Sequence, residues 1–380
     1  SSAASDVYKR QHVTRIPIFA ISAFRQIQTM YKNLFNLLTI LLILPSCTDM
    51  SPNISVVCEE NNIGNCILKW ETTPLIKGQV KVYTSDNPEF IPEDNPVAMA
   101  NISDARMTIV TNDPSRRSYY MLVFNDKYRV KVAPRNVNMP GIQNFRDLGG
   151  YKSATGKHVR WGKLYRSAQI DSLNCFALRK LQNLGIKTIL DLRSESELHN
   201  TPPLQKGFNV VHIPINTGDM EHILHGIQQE KIKTDTIYHM VEAMNRELVA
   251  KYQKEYKEIF DILLDKNSYP VVIHCSSGKG RTGIVSALIL ASLDVNADII
   301  MEDYRLSNDY FNIPKASKYA YNLPVNSQEA ITTLFSAKED FLNAAKDEIE
   351  RKYGDVPTYL RKAIGLQSED IHRLRTILLE

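Results

Sequence analysis

The chain has 380 residues, 43% of them apolar, and a formal net charge of +4. That is apolar material for a sizeable core and length for two domains with appendages. The small net charge, with no basic stripe interleaved with aromatics, excludes a nucleic-acid partner.

In chain order, the first distinctive segment is 30–47. Met30 to Asn33 open a short positive region, residues 34–44 are apolar apart from Asn36 and Thr39, and Leu44, Pro45, Ser46 and Cys47 follow. The run is too short to span a bilayer and ends in small residues before a cysteine. It resembles a bacterial lipoprotein signal peptide, with Cys47 as the lipidated first residue of the mature protein and Pro45 as an atypical member of the cleavage motif. An ordinary secretory signal and a chance apolar helix are the alternatives. Residues 1–29 are then expected to be a mis-started or non-native extension. The expected address is the bacterial cell envelope, on the membrane through an N-terminal lipid anchor, facing the periplasm or the cell surface.

After a polar linker, residues 54–58, 65–70, 78–84, 107–110, 119–124 and 128–133 are short, rich in Val, Ile and Tyr, and separated by Asn, Asp, Gly and Pro turns. Such spacing predicts a small all-β sandwich of immunoglobulin-like or fibronectin-like type over 54–135. Cys66, Leu68 and Trp70 alternate onto one face, as a core strand requires. Nothing there carries catalytic chemistry, so the expected role is a spacer from the membrane or a docking module. Cys58 and Cys66 either bridge a hairpin, which an exported compartment permits, or stay two plain core thiols.

From 136 to 380 the pattern is mixed. Residues 187–192, 210–214 and 269–273 are strand-like, while 173–184, 232–264, 284–293, 297–308, 328–353, 356–364 and 368–378 carry helical spacing. The alternation predicts an α/β catalytic domain with a mainly parallel sheet flanked by helices. Cys175 is expected to be a buried apolar residue, or else a trap for an oxidised cysteine. No Cys-x-x-Cys pair or His cluster points to a metal, and no cofactor is implied.

The most informative stretch is HCSSGKGRTG at 274–283. Cys275 and Arg281, with five residues between them in a Gly-rich loop between a strand and a helix N-terminus, make a cradle for a phosphate dianion. Converging N–H groups and Arg281 favour the thiolate of Cys275, and a thiolate facing a phosphate is a nucleophile aimed at phosphorus. The nucleotide-binding P-loop fails on spacing, because Lys279 precedes Gly280 and position 273 is Ile.

With NFRDLGGY at 144–151, WGKLYRS at 161–167, GIKTILDLRS at 185–194 with Glu197, and the C-terminal Lys352-Tyr353-Gly354, Tyr359-Leu360 and Gly365-Leu366, this loop resembles the cysteine-dependent tyrosine phosphatases. Within that superfamily the chain is similar to the bacterial tyrosine phosphatases of the lipid-active type, over about 135 to 380. The resemblance implies hydrolysis of phosphotyrosine through a phosphocysteine, with phosphoinositides or phosphoserine/threonine as further substrates. A phosphate-binding adaptor with little turnover is the alternative. Cys275 is the implied nucleophile and Arg281 the clamp on the equatorial oxygens. Backbone N–H groups of Ser276, Ser277, Gly278, Lys279, Gly280 and Arg281 complete the cradle, His274 orients it, and Thr282 bonds the sulfur. Many bacterial members carry an acidic residue just before the loop arginine, where this chain has Gly280. Asp219 stands where dual-specificity phosphatases carry their general acid, and Asp191 and Asp147 are rivals that otherwise support the loop. The GKGRTG run is also similar to lipid phosphatases in which the lysine adds charge for polyphosphorylated inositol rings, a role implied for Lys279.

Overall fold

The computed structural model describes residues 51–171, 173–198, 207–313 and 322–380. The signal expected at 30–47, its Cys47 and the preceding residues 1–29 lie outside the described residues. Among the described residues, no helix is long and apolar enough to cross a membrane.

The segment Asn53–Glu380 is a single unit of mixed α/β structure. Its first part holds β1 (Asn53–Glu60), β2 (Cys66–Thr73), β3 (Gln79–Ser85), β4 (Ala98–Asn101), β5 (Arg106–Ile109), β6 (Tyr119–Phe124) and β7 (Tyr128–Val132). They form two antiparallel sheets, ordered β1-β2-β5 and β4-β3-β6-β7. In β2, Cys66, Leu68, Trp70 and Thr72 are buried while Lys69 and Glu71 face water, the period of two that a half-buried strand imposes. Leu68 and Trp70 meet Val82, Leu122 and Phe124 of the other sheet in one apolar cluster. Trp70 Nε1 donates to Ile102 O at 2.7 Å, so the indole is buried without an orphaned donor. Cys58 opposes Leu68 and Cys66 opposes Glu60, which puts the two buried cysteines diagonally on one face as free, hydrogen-bonded thiols.

The second part contains β8 (Arg146–Asp147), β9 (Leu164–Ser167), β10 (Thr188–Asp191), β11 (Asn209–His212) and β12 (Val271–His274), in the order β11-β10-β12-β9-β8. All neighbours are parallel except β8 and β9. The helices are α1 (Cys175–Asn183), α2 (Glu195–Leu198), α3 (Met220–Gln228), α4 (Thr234–Lys251), α5 (Gln253–Leu264), α6 (Gly280–Ser292), α7 (Ala297–Arg305), α8 (Ser307–Tyr310), α9 (Val325–Phe335), α10 (Glu339–Tyr353), α11 (Val356–Lys362) and α12 (Ser368–Leu378). α6 is apolar nearly all round, and Val285, Ile289 and Leu290 pack with Ile273, Leu190, Tyr359 and Leu374 in the main core. The helix expected over 232–264 is two, because Tyr252 leaves helical geometry at φ −111°, ψ 33°. The one expected over 328–353 is likewise two, interrupted at the extended residues Ser336 and Lys338. Cys175 is exposed at the start of α1, which corrects the expectation of a buried residue there.

Several side chains join the two parts, among them the buried Lys180–Glu60 ion pair at 2.9 Å and the buried Arg117. The buried Arg117 donates to Asp147 Oδ2 at 2.5 Å, Tyr165 Oη at 2.9 Å and Pro134 O at 2.7 Å, between the rings of Tyr119, Trp161 and Tyr165. Asp147 also accepts from the N–H groups of Gly149 and Gly162, each at 2.7 Å. A buried ion pair adds little over an apolar substitute, but stripping one partner strands the other charge. Arg117→Ala is therefore expected to cost about 3–5 kcal/mol of unfolding free energy. Urea denaturation measures it, and a loss under about 1 kcal/mol would show that the pair does not tie the two parts together.

Candidate active site

β12 runs through the middle of its sheet, and its last residue, His274, delivers Cys275 to the carboxyl end, where open α/β sheets bind ligands. The loop then turns into α6, whose first residues are Gly280 and Arg281. The turn needs glycine at 278: its φ is +67°, and a Cβ there would stand 2.3 Å from Ser167 O.

The loop's carbonyls are held from behind by the motifs at 144–151 and 161–167. Asn144 Nδ2 donates to Ser277 O and Gly278 O at 3.1 Å each, and Arg166 Nη2 donates to Gly278 O at 2.8 Å. Arg166 Nη1 in turn meets Asp303 Oδ2 at 2.5 Å. Arg146 Nη2 reaches Asp303 O at 2.7 Å, and Tyr151 Oη donates to Asp303 Oδ1 at 2.9 Å. Burial alone would raise the Asp303 carboxyl, but the two arginines hold it at about 2. The sequence quoted Asn144, Arg146 and Arg166 only as marks of resemblance; the structure gives them the job of turning peptide oxygens away from the site.

Burial pushes the Cys275 thiol up, but the Arg281 charge, the Thr282 hydroxyl and the N–H groups of Thr282 and Gly278 outweigh it, and the net shift is downward. The Thr282 hydroxyl is buried and is among the groups that lower the thiol. Arg281 donates from Nη1 to Glu197 Oε2 at 2.6 Å and from Nη2 to Glu197 Oε1 at 2.8 Å, with further bonds to Leu192 O and Ile215 O. Burial would raise Glu197, yet Arg281 and the Ser276 hydroxyl hold its carboxyl at about 2. Glu197 is thus a site residue whose role the sequence did not reveal. It stands three residues after the Leu-Asp-Leu-Arg-Ser stretch, and its pairing with Arg281 left no local trace there.

His274 is buried and its pKa is pushed down to about 4, chiefly by desolvation, so the ring is neutral at pH 7; its Nε2 lies 3.7 Å from Asp191 Oδ2. The expected cation Lys279 is placed differently from its implied role. Its Nζ donates to Leu334 O at 2.5 Å and Ser336 O at 2.8 Å, capping the end of α9, and burial lowers it to about 7.

Loop residues Cys275, Ser276, Ser277, Lys279, Gly280 and Arg281 line a cleft of about 390 Å³. Its lining also has an apolar part, from Met220 and Leu224 on α3, Met244 on α4, and Phe311 with Phe335, whose rings stack at 5.7 Å, beside the polar Gln143, Gln169 and Thr217. None of the three aspartates considered as general acid lines it. Asp147 is fully buried on Arg117. Asp191 is locked by Arg193 at 2.7 Å, and its nearest approach to His274 is 3.7 Å. Asp219 is exposed and caps α3 by accepting from His222 N at 2.9 Å, although Thr217 and Met220 beside it do reach the cleft. Among the described residues, no cluster of His, Cys, Asp or Glu could hold a metal.

Comparison with known proteins places this geometry. Residues 137–380 match the model of a tyrosine phosphatase family. A tyrosine-protein phosphatase named from Cupriavidus necator is 30% identical over 240 residues, covering 62% of this chain and 85% of that protein. The triple specificity protein phosphatase PtpB of Mycobacterium tuberculosis is 25% identical over 276 residues, covering 63% and 98%. Among solved structures, the core catalytic domain of the PP-IP phosphatase Siw14 from S. cerevisiae aligns at 16% identity with a TM-score of 0.26, over 52% of this chain and 94% of that one.

Proposed function

The chain belongs to the tyrosine phosphatase family, and on that premise we propose that Cys275 carries the hydrolysis of phosphotyrosine through a phosphocysteine intermediate. The observation that supports this most is the lowered thiol of Cys275 at the N-terminus of α6, with the Arg281 charge beside it. Cys275 attacks phosphorus, and splitting the displacement in two makes each step easier. Arg281 meets the charge that grows on the equatorial oxygens, and Glu197 keeps its guanidinium in place between turnovers. Thr282 supports the sulfur as it leaves in the second step. The stacked Phe311 and Phe335, with Met220, Leu224 and Met244, suit an aromatic ring carried behind the phosphate. The two sheets over residues 53–132 act as a structural part of the enzyme through Arg117, beyond the spacer or docking role expected of them.

Cys275→Ser is expected to abolish aryl-phosphate turnover while keeping oxyanion binding within about tenfold, since a serine hydroxyl stays protonated near neutral pH and the N–H cradle persists. Turnover by that variant within about tenfold of wild type would remove Cys275 as nucleophile.

We also propose that residues 30–47 carry the protein to the cell envelope with a lipid on Cys47, on the strength of the apolar run and the cysteine that ends it. Fractionation of cells expressing Cys47→Ala tests this address. Release from the membrane fraction is expected, and unchanged membrane association contradicts it.

A further inference from the structure

The cleft holds Glu197, Cys275, Lys279 and Arg281 as its ionisable lining among the described residues. Glu197 carries no proton at neutral pH, because Arg281 and Ser276 hold it at about 2. Lys279 directs protons to the carbonyls of Leu334 and Ser336. The internal stretches outside the described residues, 199–206 and 314–321 with position 172, contain no Asp or Glu in their sequence. At Gly280 a side chain is missing for neither spatial nor backbone reasons: a Cβ there would meet no atom within 4 Å, and its φ is outside the left-handed region. The position lines the cleft, so the space beside the departing oxygen is open.

We propose that this enzyme works without a carboxylic general acid and is therefore selective for aryl phosphates, phosphotyrosine among them, over esters of aliphatic alcohols such as phosphoserine, phosphothreonine and inositol-ring phosphates. The inference rests on the phosphocysteine chemistry proposed for Cys275. The Cys275 sulfur gives its electron pair to phosphorus, the S–P bond forms, and the P–O bond breaks with its pair left on the departing oxygen. A phenol ionises near pH 10, so its oxygen departs as an aryloxide and takes a proton from solvent afterwards. An aliphatic alkoxide is far more basic and needs that proton during bond cleavage. Water then attacks phosphorus, the S–P bond breaks, and the thiolate is restored; one proton of the water goes to solvent and the hydroxyl stays on phosphate. The stacked Phe311 and Phe335 in the cleft lining favour the same class, since they can receive a ring.

The test is kcat/KM of the full chain on aryl phosphates graded from nitrophenyl to unsubstituted phenyl, together with an alkyl phosphate. With no acid, the values are expected to fall by about 10² or more from the nitrophenyl to the phenyl ester, the contribution a positioned acid ordinarily supplies. The alkyl ester should lie below both. Gly280→Asp, for which the space exists, is expected to raise the phenyl ester relative to the nitrophenyl ester by about tenfold or more, whatever it does to the absolute rates. Values that are flat across the wild-type series overturn the proposal. So does a flat series that turns steep in Asp219→Asn or Lys279→Met, which would identify that residue as the acid. If Gly280→Asp does not fold, the wild-type series alone decides. Absence of turnover on every ester is a different result and overturns the phosphatase reading beneath the proposal.

Discussion

The site depends on which way a few peptide groups face. A loop of five residues between a strand and a helix can present either carbonyl oxygens or N–H groups to its centre, and only the second arrangement attracts an anion. Here the oxygens of Ser277 and Gly278 are bound from outside by Asn144 and Arg166. Those side chains are part of a buried network in which Asp303 accepts from Arg166 and Tyr151 while its carbonyl accepts from Arg146. Buried charges of this kind are tolerable only when every member is paired. The network is the physical reason that stretches far apart in the chain, at 144–151 and 161–167, belong to one site.

On the other side of the loop, charge is balanced by a different set. Glu197 holds Arg281, the carbonyls at the end of α9 hold Lys279, and the pair His274 and Asp191 stands behind Cys275. With the cations engaged, the stacked rings of Phe311 and Phe335 give the cleft an apolar surface beside the phosphate cradle. The chemistry is thus concentrated at one thiolate and one guanidinium, and the surroundings select what is attached to the phosphate.

The strand, loop and helix around Cys275 were legible because their signals are local: a β-branched run, a glycine-rich turn and an apolar helix in direct succession. The alternation of Cys66, Leu68 and Trp70 was legible for the same reason, and β2 buries those three side chains. Short elements escaped. β8 has two residues, and the four-residue β4 and β9 hold no β-branched residue, unlike the equally short β10, β11 and β12. α3 did carry a signal, with Met220, Ile223, Leu224 and Ile227 at helical spacing, and was missed beside the longer helices. Which carboxylate could serve as acid was not legible, because chain position says nothing of which atoms a carboxylate meets. Asp147 meets Arg117 from the other part of the molecule, and Asp219 meets its own helix N-terminus. The engagement of Glu197 by Arg281 joins residues 84 positions apart and had no local trace.

If the outward-turned carbonyls and Arg281 do set the state of Cys275, the thiol must ionise below its ordinary value. The rate of inactivation by iodoacetamide across pH reads the thiolate fraction directly, because only the thiolate is alkylated. The lowered thiol predicts a rate that is already at its plateau below about pH 8.5, the ordinary cysteine value, and that falls only as acid protonates the sulfur. An inflection at or above about pH 8.5 would contradict the account.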